Sequence, residues 1–230
     1  MRFYIFICVL LCSSFARAAD ISVVRLGPDK PFIVIVRGDL NANDTDHFRT
    51  TVSSISRAIV AFDSDGGSVV TGIEIGELIR LRGFYSAVLD DSRCVSACAL
   101  AWLGGIRRFM SPRAKIGFHA AYDDRSGTET GVGNALVGAY LNKIGLSYSA
   151  VIFATQAAPK SMTWLTPSEG AQRGIFVDLI DSNPNNVASR GLGWLLPTTP
   201  IDPDIARATD AWLKSLERRH NKAWPPTAAE

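Results

Sequence analysis

Two unbroken runs of β-favouring residues, each followed closely by a helical repeat, leave this chain few architectures. Residues 31–38 (PFIVIVRG) and 58–62 (AIVAF) carry apolar side chains at successive positions. A strand with one wet face alternates. A continuous run suits a strand covered on both faces, as in a parallel sheet between helices. After the first run, Asn43, Asp44 and Thr45 offer helix caps, and Phe48, Val52, Ile55 and Ile59 recur at helical spacing. The second run overlaps Ile59, so that helix must end before it.

The same order repeats downstream. Residues 63–67 (DSDGG) are a turn signal, residues 70–82 read as a helix stopped by Gly83, and residues 85–89 as a short strand. Residues 94–103 read as an apolar helix ended by Gly104 and Gly105. Residues 108–110 and 115–119 are short strands, the second weakened by Gly117, and residues 123–133 form a polar loop. Leu136, Tyr140 and Ile144 stripe a helix that resumes after a break at Gly145 and runs through Val151 and Ile152. Residues 175–180 close the domain as a strand. Repeated strand–helix units predict an α/β fold with largely parallel pairing.

The two ends differ from this body. Residues 1–18 (MRFYIFICVLLCSSFARA) have a basic start, a ten-residue apolar run and a small-x-small ending at Ala16-Arg17-Ala18, the layout of a secretory signal peptide cut after Ala18. The run is too short to span a bilayer, which takes about 20 residues. Removing Arg2 and Arg17 leaves 22 basic and 22 acidic residues, so the mature chain has no net charge. With no dense basic run either, nucleic acid is not an expected partner. The expected location is periplasmic or secreted, with no membrane span after cleavage. Residues 183–230 read as a linker and a helical tail, in which Ile205, Ala208, Trp212 and Leu216 form an amphipathic stripe in need of a partner surface. The folded domain is then residues 19–182. The composition of the full chain, 47% apolar and 20% charged, can bury a core and excludes wholesale disorder or a coiled coil.

Three segments could carry chemistry. Gly66-Gly67, between strand and helix, can turn backbone N–H groups toward a ligand, or can simply make the turn. Ser96 opens an apolar helix beside unpaired N–H groups, where it can act as a nucleophile near an oxyanion site or merely cap the helix. His119 ends an apolar strand, either as a base for a hydroxyl or as a hydrogen-bonded core residue. His47, at a polar helix start, and His220, in a basic tail, read as surface residues.

Their order adds what no segment gives alone. The stretches FDSDGGSVVTGIEIGELIR, CVSACALAWLGGIRRFMSPRAKIGFHAAY and LTPSEGAQRGIFVDLI, with Ser96 placed 29 residues after Gly67 and His119 placed 23 after Ser96, resemble the Clp-protease proteolytic subunit, a member of the ClpP/crotonase superfamily. The likeness covers about residues 31–180 and is strongest toward exported bacterial ClpP-like proteins. It implies a ββα spiral fold, here with a C-terminal amphipathic helix, and a helix near residues 134–157 that serves ring assembly. It also implies a serine peptidase with polypeptide substrates, no cofactor, no metal and a homo-oligomeric state. By the same likeness Ser96 is the nucleophile, His119 the general base, and the N–H groups of Gly67 and Ala97 the oxyanion hole. Met162 stands where the family has its catalytic Asp. A Ser-His dyad, a carboxylate from Asp123, Asp124 or Asp178, or a decayed site would each accommodate this. The alternative function is a catalytically degenerate assembly or binding module. A crotonase-like acyl-coenzyme-A enzyme fits poorly with export.

Cys94 and Cys98 are the only cysteines left after cleavage. On one helix their spacing would place both on one face, with Cα atoms about 6 Å apart, within disulfide range. A disulfide pinning the Ser96 loop, two buried thiols, and a zinc site completed by His119 are the readings open at this point.

Overall fold

A computed structural model describes residues 18–27 and 30–180. The N-terminal strand β1 (Asp20–Arg25) pairs antiparallel with β2 (Phe32–Arg37). Next to β2 lie β3 (Ala58–Asp63), β4 (Tyr85–Val88), β6 (Arg108–Met110) and β9 (Asp178–Leu179), all parallel, giving a six-stranded sheet in the order β1-β2-β3-β4-β6-β9. A second sheet of three strands, β5 (Arg93–Val95), β7 (Lys115–Phe118) and β8 (Thr163–Trp164), pairs β5 with β7 in parallel and β7 with β8 antiparallel. The helices are α1 (Asp44–Thr51), α2 (Val69–Leu81), α3 (Ala97–Leu103), α4 (Gly131–Lys143), α5 (Tyr148–Thr155) and α6 (Pro167–Arg173).

The unbroken apolar runs are buried on both faces, as their composition requires. Val34, Val36, Val60 and Phe62 join the larger core with the helices, while Ile33, Ile35, Ile59 and Ala61 join a second cluster on the opposite face. The mixed α/β architecture with mostly parallel pairing is the one expected. Helix boundaries fall where caps and glycines were read, with α1 starting after Asn43, α2 ending before Gly83, α3 at Gly104 and α4 before Gly145.

Four details differ from expectation. Cys94 and Val95 are not helical but form β5, because Cys94 pairs with Ile116 and bridges Ser64. The closing strand shrinks to Asp178–Leu179, since Ile175 is tied by its N–H to Gly170 O at the end of α6. The polar loop ends early, where Thr130 caps α4. Finally, β1, β8 and α6 were not expected as elements. The leader, the linker and the tail helix lie outside the described residues. Among the described residues no helix is long and apolar enough to cross a membrane.

One contact between helices places the site. A Cβ on Gly72 of α2 would sit 2.2 Å from Ala97 O, so α2 approaches the start of α3 at backbone distance. Only glycine allows that approach, and it brings Ser96 close to the turn that precedes α2.

Candidate active site

Ser96 sits between β5 and α3, with its N–H donated to Gly117 O of β7 at 2.9 Å. Its backbone has φ 56° and ψ −124°, a region that L residues rarely occupy. It occupies the N-cap position of α3 but makes no side-chain capping bond. By contrast, Ser68, Thr130, Ser147 and Thr166 each cap their helices through the hydroxyl. Capping therefore does not account for Ser96. Ala97 is fully buried, and its N–H, at the first position of α3, has no acceptor within the helix.

Cys94 and Cys98 form a disulfide with Cα atoms 5.2 Å apart. The disulfide is the reading that holds, and Cys94 precedes the helix instead of sharing its face with Cys98. Cys94 belongs to β5 and Cys98 to the first turn of α3, so the bridge spans the strand–helix junction and encloses Ser96. The free-thiol and zinc readings do not apply to this bonded pair.

Gly66 and Gly67 have φ of 107° and 128°. Leu40 donates its N–H to Gly66 O at 2.6 Å and accepts from Ser68 N at 2.8 Å, which makes a parallel bridge between Leu40 and Gly67. In that pattern the N–H of Gly67 itself points away from Leu40. A Cβ on Gly67 would lie 2.2 Å from Leu40 O, and one on Gly66 would lie 2.8 Å from Ser96 Cβ. No other residue fits either position.

His119 follows β7. Its Nδ1 lies 2.8 Å from Ala120 O. A carbonyl can only accept, so Nδ1 carries the proton in this contact and neutral His119 keeps Nε2 as its bare, basic nitrogen. The Tyr122 ring lies 5.5 Å from the imidazole, centre to centre. Ser96, His119 and Gly67 line one cleft of about 320 Å³, together with Asp65, Tyr122 and Asp124. Val69, Val70, Val132 and Leu136 supply its apolar walls.

Pairing of Phe118 with Thr163 places Met162 in register across from His119. The Met162 thioether lies over Gly117, with Sδ 2.7 Å from where a Cβ there would be. Among the described residues no carboxylate hydrogen-bonds the His119 ring. Asp123 binds the N–H and hydroxyl of Ser126, at 2.9 and 3.0 Å, and those bonds hold its carboxyl below the usual carboxylate range. Asp178, on the edge strand β9, is engaged by Arg107 at 2.8 Å and is not among the residues lining the cleft. Sequence reasoning missed the Ala120 carbonyl, because a main-chain acceptor leaves no trace in residue identity. It also missed the apolar cleft walls, for which the i, i+4 pair Val132 and Leu136 was a usable signal.

No protein-family model matches the chain, and none of the curated proteins compared with it is similar. Solved structures do match. A point mutant of the membrane-bound stomatin-specific protease 1510-N superposes with a TM-score of 0.50 at 16% identity, over 67% of this chain and 80% of that one. Another mutant of that protease, in complex with a substrate peptide, gives 0.49 at 15% identity over 74% and 82%. A ClpP1 mutant from Listeria monocytogenes gives 0.46 at 16% identity over 66% and 92%. At such identity the first of these likenesses, at a TM-score of 0.50, speaks for architecture and not for chemistry. The chain has the ClpP-like fold.

Proposed function

We propose that this chain is an exported ClpP-like serine peptidase that acts on short or unfolded polypeptides. Ser96 Oγ attacks the peptide carbonyl while His119 Nε2 takes its proton. The N–H groups of Gly67 and Ala97 hold the oxyanion, and His119 then returns the proton to the leaving amine. Water releases the acyl group in a second round of the same steps. The mechanism uses no cofactor. Export follows from the leader at residues 1–18, and a nucleotide-driven unfoldase is not expected outside the cytoplasm, so substrates must arrive already extended.

One observation carries this reading. Ser96 holds a sparsely populated backbone conformation, does not cap its helix, and shares a cleft with an imidazole whose Nδ1 is already engaged. Such strain persists only where the surroundings enforce it, and it clusters at functional sites. The Ala120 carbonyl gives His119 the right tautomer but brings no negative charge to stabilise the imidazolium. A dyad of reduced power is the expected result. That same deficit favours the second reading, a ClpP-like binding module in which the site no longer turns over.

Labelling of the folded, oxidised protein with a fluorophosphonate separates the two. A peptidase labels, loses all labelling in Ser96→Ala and most of it in His119→Ala. Absence of labelling in the folded wild-type protein overturns the peptidase and leaves the binding module.

A further inference from the structure

The Ala19 backbone nitrogen donates to Asp44 Oδ2 at 3.1 Å, and the Asn41 N–H donates to the same oxygen at 2.7 Å. Asp44 is 1% exposed and Ala19 is 5% exposed. Among the described residues no lysine, arginine or histidine pairs with Asp44. A carboxylate buried without a cation is costly, and two N–H donors with the first turn of α1 offset only part of that cost.

The missing cation has an evident source. The leader reading places the cut between Ala18 and Ala19. Exposure changes at that same bond, since Ala18 is exposed and Ala19 is buried. Hydrolysis of the bond by a leader peptidase adds water, leaving a carboxylate on Ala18 and an amine on Ala19 that is protonated near neutral pH. The nitrogen that bears this new charge is the one already aimed at Asp44.

We propose that the α-ammonium of Ala19, created by removal of residues 1–18, forms a buried ion pair with Asp44 and thereby locks the segment that shapes the Gly66–Gly67 turn. The link is short. Asn41 shares Oδ2 with Ala19, and its carbonyl accepts from Thr71 Oγ1 of α2 at 3.1 Å. Leu40, next to it, bridges Gly67. Leader removal thus completes the fold at the wall of the cleft, and the processed form is the one with a fixed Gly67 N–H. This last consequence rests on the peptidase reading, whereas the ion pair does not.

Intact mass of the exported protein should show Ala19 as the first residue, and a mature chain that starts elsewhere overturns the proposal. Four proteins released from a cleavable fusion then form a cycle. They begin at Ala19 or at Ala18, each with or without Asp44→Asn. Keeping Ala18 moves the charge one residue outward into solvent. With Asp44 present, starting at Ala18 should lower the melting temperature by about 10 °C, the scale of a broken buried pair in a domain of this size. In the Asp44→Asn background the same extension should cost less than about 2 °C, because no pair remains to lose. Equal losses in both backgrounds overturn the pair. Should Asp44→Asn fail to fold, an unchanged melting temperature of the Ala18-start protein overturns it alone. Fluorophosphonate labelling of the two Asp44 proteins, below both melting points, should be at least about threefold slower for the Ala18-start form. Equal rates overturn the link to Gly67. Labelling absent from every form counts against the peptidase alone, since the melting cycle reads the ion pair without it.

Discussion

At His119 a single side chain depends on two neighbours of different kinds. Ala120 O fixes which nitrogen is protonated, and Met162, in register with His119 across the β7–β8 ladder, brings no charge to it. Charge-assisted bonds are about twice as strong as neutral ones. Met162→Asp should therefore capture Nδ1–H and raise the fluorophosphonate labelling rate by about tenfold or more, with Met162→Leu as the unchanged control. A rate no higher in Met162→Asp would show that the imidazole is not limited by its partner. A second residue-scale effect is set by burial. Tyr140 donates its hydroxyl to Leu100 O at 3.0 Å, and burial pushes its ionisation well above the ordinary 10.0. The unfolded chain gives up that proton at about pH 10, whereas the folded chain keeps it. Native stability is then indifferent to this group at neutral pH and falls as pH rises beyond about 10. Urea melts at pH 8 and 10.5 should show Tyr140→Phe losing less stability between them than wild type, although it costs about 1–2 kcal/mol at pH 8 through the unsatisfied carbonyl. That Ser96 and His119 line one cleft could be anticipated from the sequence, because their side chains stand out and their spacing resembles that of a known family. Ala120 and the Ala19–Asp44 contact could not, because main-chain groups have no letter and Asp44 reads first as a helix-start residue.

At the scale of elements, apolar content located the buried strands but could not divide residues 94–103. A short apolar run has no decisive period. Pairing with β7, not local preference, turns Arg93–Val95 into a strand and forces the abrupt change of direction at Ser96. The same holds for β8, whose two residues exist as a strand only because β7 is there to pair with. β1 was hidden by its partly exposed edge position, which mutes the hydrophobic signal. The disulfide spans the junction that pairing creates. Closing so short a loop removes unfolded-state entropy worth about 2 kcal/mol. A Cys94→Ala, Cys98→Ala double variant should lose about that much in a urea titration. If the bridge also steadies Ser96, its labelling rate should fall severalfold at temperatures where the variant is fully folded. An unchanged rate would assign the bridge to stability alone.

Across the whole molecule, the three site segments share one origin. Gly66-Gly67 follow β3, Ser96 follows β5 and His119 follows β7, each at the carboxyl end of a strand in a parallel pair. Parallel pairing of β5 with β7 brings Ser96 and His119 to one end of the second sheet, and the parallel bridge between Ser64 and Cys94 joins the end of β3, with its Gly66-Gly67 turn, to that same place. The alternation of runs and caps made this topology legible, whereas the cleft depends on the arm formed by α4 and α5, from which Val132 and Leu136 line it. That arm leaves large apolar side chains in water, with Val132 74% and Tyr148 79% exposed, and Leu136 and Ile152 about half as much. Monomeric proteins rarely leave such groups clustered without use. A homo-oligomer held through α4 and α5 would cover them and would also roof the cleft that Val132 and Leu136 line. Light scattering on the mature protein at micromolar concentration should then give a multiple of the monomer mass. Tyr148→Asp, on the arm but outside the cleft lining, should reduce it toward the monomer with only a small change in melting temperature, because the side chain is hardly buried within its own subunit. A wild-type monomer would instead leave the arm as a free wall of the cleft, and a Tyr148→Asp oligomer of unchanged mass would move the interface to another face.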